Sequence, residues 1–220
     1  MGHSGGRRRS RGAVAVEAAL VTPVLLLLVF GIIEMAMLMK DNVALTSAVR
    51  AGGRTASTDA GAGPGDEGSD CVQPCSPQNA PMLAELAANA IARAGTALPR
   101  NSIDELWIYK ANNRGYPGAD GNTSFTSCTT NCVEYKWNPD YVNSDGSKGQ
   151  FRYYSGTWIS STINACANHP PDAVGVYMEA THQFFTGLFA KTVQLSDHAV
   201  FAFEPLPNDS CGPSAPQPHL

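Results

Sequence analysis

The stretch Arg7-Arg8-Arg9-Ser10-Arg11-Gly12-Ala13-Val14-Ala15-Val16-Glu17, followed by an almost unbroken apolar run to Met39, decides how this chain is organised. Between Ala13 and Met39 only Glu17 and Glu34 are charged. A bilayer's hydrocarbon core is about 30 Å thick and is crossed by roughly 20 apolar residues in helix. The run is long enough to span it, and longer than the ~7–15-residue apolar core of a cleaved signal peptide. No good Ala-x-Ala cleavage signal follows. Pro23 would break a helix in water but is tolerated in lipid, where neighbours satisfy the freed carbonyl. Four arginines with no acidic residue among them precede the run, so residues 1–12 are expected on the cytoplasmic side and everything after Lys40 outside. Arg7-Arg8 is not a twin-arginine export signal, because the apolar residues that should follow such a pair are missing.

Two carboxylates stand out. Charge inside a span is costly and marks function by default. Glu17 lies about one turn past Ala13, where a carboxylate also suits a helix N-terminus near the interface. Burial alone leaves those two readings open. Glu34, near the outer end, is expected to reach the outer headgroups.

Spacing adds to this. Gly12, then Ala13 to Val16, then Glu17 resembles a type IV prepilin processing site, in which a basic leader ends in glycine and a glutamate occupies the fifth mature position. The segment Gly12 to Leu28, with Phe30-Gly31-Ile32-Ile33-Glu34 and Ala48-Val49-Arg50-Ala51-Gly52-Gly53-Arg54, resembles the TadE-like pseudopilins. These are minor pilin-like components of the tight-adherence (Flp, type IVb) pilus system. Val174-Gly175-Val176-Tyr177 to Phe201-Ala202-Phe203-Glu204-Pro205 is similar to the family's closing part. The resemblance implies cleavage between Gly12 and Ala13 by a prepilin peptidase, with Glu17 recognising a neighbouring subunit, and an assembly role for Glu17 and Glu34. Cutting there frees an amine that a neighbour's Glu17 could pair with in lipid, offsetting the cost of each charge. The partners implied are membrane lipid, the peptidase, other pseudopilins and pilin.

Residues 41–220 hold ten basic and seventeen acidic residues, a net of −7. That sign argues against nucleic acid, whose affinity comes from lysine and arginine at phosphates. The first helix is expected to continue through Val43, Ala44, Ser47, Ala48 and Ala51 and to end at Gly52-Gly53. Residues 57–81 read as a Gly/Pro-rich linker. Its Gly63-Pro64-Gly65-Asp66-Glu67-Gly68 formally matches GxGxxG, but no strand precedes it and no apolar helix opens from it. Met82, Leu83, Leu86, Ala87, Ala90, Ile91 and Ala94 form one helical stripe. Strands are expected at 103–110, 133–137, 151–154, 174–180 and 193–203. Short helices are expected at 159–165 and 183–190. Pro213 to Leu220 reads as a tail.

Six cysteines, Cys71, Cys75, Cys128, Cys132, Cys166 and Cys211, all fall outside the membrane in this topology. An even count in an oxidising compartment favours disulfides. The expected pairing is Cys71–Cys75, Cys128–Cys132 and Cys166–Cys211. Structural zinc more often uses two-residue spacings in intracellular proteins, so no metal is expected. His169, His182 and His198 form no HExxH, and there is no GxSxG or P-loop. Trp107, Trp137 and Trp158 read as core residues.

The expected fold class is α+β: a long N-terminal transmembrane helix (13–39, continued over 40–56) and a mixed helix/antiparallel-sheet extracytoplasmic domain over 82–205, with a tail from 206 to 220. The expectation is a single-pass membrane pseudopilin that is not an enzyme, needs no cofactor and is a substrate of the peptidase. The alternatives are a cell-surface binding module with an uncleaved anchor, and a secreted hydrolase that uses the run only for export.

Overall fold

The computed structural model describes residues 7–63, 65, 80–94, 97–143, 146–166, 170–187 and 190–206. One helix, α1, runs unbroken over Arg7–Thr58. Its 52 residues make a rod about 78 Å long at 1.5 Å each. Pro23 does not interrupt it. Next to it, the Thr22 hydroxyl donates 2.7 Å to the carbonyl of Ala18 one turn below, so that hydroxyl needs no water.

The expected stop at Gly52-Gly53 is corrected: α1 passes through both glycines. A Cβ on Gly52 would lie 2.6 Å from Ile91 Cδ1, and one on Gly53 would collide with the Phe201 ring. Each glycine costs about 1 kcal/mol of helix propensity relative to alanine. Here the missing side chains let a second helix and a strand approach the α1 backbone. The start of the expected linker, Ser57 and Thr58, is likewise still helical.

The second helix, α2 (Met82–Ala94), buries Leu83, Ala84, Ala87, Ala88 and Ile91. Arg100 donates 2.6 Å to the Ala92 carbonyl, satisfying one of the orphan acceptors at that helix end. Five antiparallel strands follow: β1 (Ile103–Ala111), β2 (Cys132–Val142), β3 (Lys148–Thr157), β4 (Ala173–Gln183) and β5 (Thr192–Ala202). Their order in the sheet is β3-β2-β1-β4-β5. In chain order this is a β1–β2–β3 meander with β4 returning to the free side of β1. Gly146, at φ +80°, serves the β2–β3 turn, where the left-handed region favours glycine.

The inner face of the sheet packs on both helices, α1 over β4 and β5 and α2 over β3 and β1. Leu106, Ile108, Val133, Tyr135, Val174, Val176 and Met178 are fully buried there with Leu45, Val49 and Ile91 of the helices. Period-two alternation puts Trp107 and Tyr109 on the opposite face, under Phe125 from the 112–131 excursion. The architecture is α+β, with a long apolar helix feeding a five-stranded antiparallel sheet.

Among the described residues neither of the two expected short helices forms. Within 159–165 there is a single 3-10 turn, Ser160–Thr162. Over 183–190, β4 runs to Gln183, and Phe184 N–H then donates 3.0 Å to Lys191 O, closing a hairpin onto β5. A closing hydrogen bond across the pair fixes the register, and His182 faces Val193. Cys128 and Cys132 form a disulfide. Cys166 is disulfide-bonded as well. The expected Cys71–Cys75 pair, the Cys211 partner, His169, the GxGxxG stretch beyond Gly65 and the tail beyond 206 lie outside the described residues.

Candidate functional site

Burial divides α1 sharply. From Gly12 to Phe30 every residue is exposed, and among the described residues nothing lies within 4 Å of where a Gly12 Cβ would be. Ala13 and Glu17 stand on this bare stretch. Among the described residues Glu17 has no hydrogen bond or ion pair, so its carboxylate is free for a group from outside the chain. From Glu34 upward the helix is docked: Glu34, Asp41, Ala44, Leu45, Ala48, Val49, Gly52, Gly53 and Ala56 are buried at helical spacing.

The docked part begins with a polar clasp. Glu34 is 1 % exposed. Its Oε1 accepts from the Thr186 hydroxyl at 2.6 Å and from the Thr186 N–H at 2.5 Å. Two helical turns higher, on the same face, Asp41 Oδ2 lies 2.6 Å from His182 Nδ1, and both residues are buried. Lys40 Nζ sits 3.2 Å from the other Asp41 oxygen. His182 is on β4 and Thr186 just beyond it, so two carboxylates of α1 grip one hairpin. Hydrogen bonds to charged groups are among the stronger ones, and a buried carboxylate left without them is costly. Glu34 is therefore turned inward to its own domain instead of reaching headgroups.

Sequence reasoning missed this clasp. Thr186 and His182 lie 152 and 141 residues from their partners. The only local signal was an isolated carboxylate in an apolar helix, which demands a partner without naming it.

Farther up, the Ala48-Val49-Arg50-Ala51-Gly52-Gly53-Arg54 segment divides its labour by face. Ala48, Val49, Gly52 and Gly53 are buried, and Arg50 and Arg54 are exposed one turn apart. The two arginines line a shallow groove with Val43 and Ser47 on the side of α1 away from the sheet.

The outer face of the sheet has its own cluster. Phe125 stacks on Tyr177 at 4.2 Å, and Trp107 packs 5.2 Å from Tyr177. His198 lies 5.0 Å from Phe125. The Tyr177 hydroxyl donates 2.7 Å to Glu179. Burial first, then that carboxylate, pushes the Tyr177 hydroxyl pKa upward. Glu105 beside them is held above the ordinary carboxyl range, by burial first and then by Glu179 and Glu134. Trp107 and Trp158 are buried and Trp137 partly so. Among the described residues, no group of three or more His, Cys, Asp or Glu is placed to hold a metal ion.

A long helix, bare below and built into an antiparallel α+β domain above, gives the chain one candidate membrane span. The bare part of α1 is long and apolar enough to cross a bilayer. Residues 12–54 match the model of the TadE family, described as TadE-like protein, so the N-terminal segment is TadE-like. The matched residues lie entirely on α1 and include Gly12, Glu17, the clasp carboxylates and both arginines. No curated protein matches the chain, and no solved structure matches it.

Proposed function

We propose that this chain is a membrane-anchored TadE-like pseudopilin that acts in the assembly of a tight-adherence (Flp, type IVb) pilus, or enters it as a minor component. The observation that carries the reading is the TadE-like match over 12–54. It includes a glycine–glutamate pair, spaced as at a prepilin cleavage site, on a stretch of helix that no described part of the chain covers. In this reading residues 1–12 are a cytoplasmic leader and a prepilin peptidase cuts between Gly12 and Ala13. The domain beyond Lys40 lies outside the cytoplasmic membrane. The protein is the peptidase's substrate and not itself an enzyme. The scissile bond lies near the start of α1, and helix ends open at little cost, so a peptidase can reach it without disturbing the domain.

Once cut, the new amine of Ala13 and the free Glu17 carboxylate lie at the same end of the rod. A neighbouring subunit offset along the helix axis pairs one with the other in lipid, where each alone is costly. The exposed Arg50 and Arg54 provide a second contact outside the membrane. N-terminal sequencing of the mature protein tests the reading. The sequence should begin at Ala13, and Gly12→Lys should retain the leader. A mature protein that still carries Arg7 to Arg11 supports instead a surface binding module with an uncleaved anchor.

A further inference from the structure

From His182, beside Asp41, to Thr186, beside Glu34, the chain leaving β4 descends toward the membrane end of α1. Thr186 is bonded to Glu34, which fixes the level of that segment along the rod. From Ala13 to Ile33 the helix rises about 30 Å, matching the ~30 Å hydrocarbon thickness. Glu34 therefore stands at the outer boundary when Ala13 stands at the inner one. The apolar surface does not stop there. On the sides of α1 that the domain leaves open, Met35, Met37, Met39 and Val43 remain exposed, so lipid contact extends at least to the level of Glu34. Phe185, adjacent to Thr186, is 81 % exposed, more than any other large apolar side chain among the described residues. At the base of the turn Lys191 is exposed, and Lys40 is exposed on α1. Long cationic side chains at that height can reach headgroups while their stems lie along apolar surface.

We propose that Phe185, just past β4, is a second membrane contact: it enters the outer leaflet beside α1, and the Thr186–Glu34 bonds hold it at that depth. The occupant of this surface is the lipid of the same bilayer that α1 crosses. The domain is fixed to α1 through its core, so with one foothold rod and domain together would be free to tilt and rotate in the bilayer. A second foothold fixes its tilt, and so fixes the direction in which Arg50 and Arg54 face a neighbouring subunit. The proposal rests on α1 being a span, and the experiment separates the two.

Full-length protein is reconstituted in phosphatidylcholine vesicles whose acyl chains are brominated either near the headgroup or deep. Phe185→Trp, Leu27→Trp and Tyr154→Trp are compared with the unaltered chain, whose own tryptophans give the background. All three sites are exposed, so the exchanges leave the core intact, and unchanged thermal melting checks this. The added emission of Phe185→Trp should shift to shorter wavelength and lose intensity with shallow bromines. Leu27→Trp should respond to deep bromines, and Tyr154→Trp, on β3, to neither. An unquenched, water-like signal from Phe185→Trp overturns the proposal. A short-wavelength signal that bromine does not quench also overturns it, by placing residue 185 against protein such as a second copy. If Leu27→Trp is unquenched, the span fails and the proposal fails with it.

Discussion

The lower and upper parts of α1 are one continuous helix with opposite surroundings. From Gly12 to Ile33 the residues are bare but for a half-covered Gly31; from Glu34 to Ser57 a stripe of the helix is sealed against a sheet and a second helix. Composition explains the contrast. Below, apolar residues cover the whole circumference, which suits a uniform lipid environment. Above, alanines, glycines and a few large residues occupy one face, and Lys40, Asn42, Arg50 and Arg54 occupy the other. In the proposed anchoring, a single helix serves two solvents by narrowing its apolar surface from a full cylinder to a stripe. The clasp at Glu34 and Asp41 marks where the change occurs.

The sharpest test of that division is a matched pair of truncations. Leu45 is fully buried, and Leu45→Ala should cost the domain about 2–5 kcal/mol, as buried leucine-to-alanine changes do. Leu27→Ala removes the same atoms from the bare part and should leave the unfolding midpoint of the domain unchanged. Denaturant unfolding of the full chain in detergent, followed by tryptophan emission, reads both. Equal losses would show that the two parts are not energetically separate.

The glycine pair gives the next effect. Gly53→Leu drives a side chain into Phe201 and should destabilise by about 1–3 kcal/mol, the usual cost of overpacking. Gly12→Leu meets open space and should be silent in the same melt, whatever it does to processing. A silent Gly53→Leu would mean that β5 is not seated on α1.

These glycines also show what could be read from the sequence and what could not. Helix α2 and strand β1 were legible nearly to the residue, because their signals are local: a stripe at helical spacing for Met82–Ala94 and strict alternation for Leu106 to Tyr109. Gly52-Gly53 carries the local signature of a helix end, yet it lies mid-helix because Ile91 and Phe201 pack where side chains would be. The segment after Gln183 has phenylalanines that suit one helical face equally well. The pairing of β4 with β5, a non-local event, makes it a turn instead. Gly12 and Glu17 were singled out by a spacing that resembles a prepilin site, and both fall within the TadE-like match. The clasp was not, since its one local trace is a carboxylate in an apolar helix and the partners lie 141 and 152 residues away.

The clasp itself separates the two parts at a third level. Asp41→Ala leaves the buried His182 ring nitrogen without its partner and should cost about 1–3 kcal/mol, the price of an unsatisfied buried polar group. His182→Ala measured alone and together with Asp41→Ala completes a double-mutant cycle. A coupling energy near zero would show that the 2.6 Å contact contributes nothing to docking.

The smallest effect on stability should accompany the largest effect on assembly. Arg50 and Arg54 are exposed on the side of α1 away from the sheet, and Glu17 is exposed on the bare rod. Arg50→Glu with Arg54→Glu, and separately Glu17→Gln, should each shift domain stability by no more than ~0.5 kcal/mol, as surface changes do. If the upper face of α1 meets an acidic partner and Glu17 meets a neighbour's amine, both variants should accumulate normally in the membrane and still lose surface pili. Immunoblots of membranes and electron microscopy of cells provide the two readings. Normal pili in the arginine variant would confine subunit recognition to the bare part of the helix. Normal pili in Glu17→Gln would remove the amine–carboxylate pairing, because a neutral amide cannot offset the charge it was placed to meet.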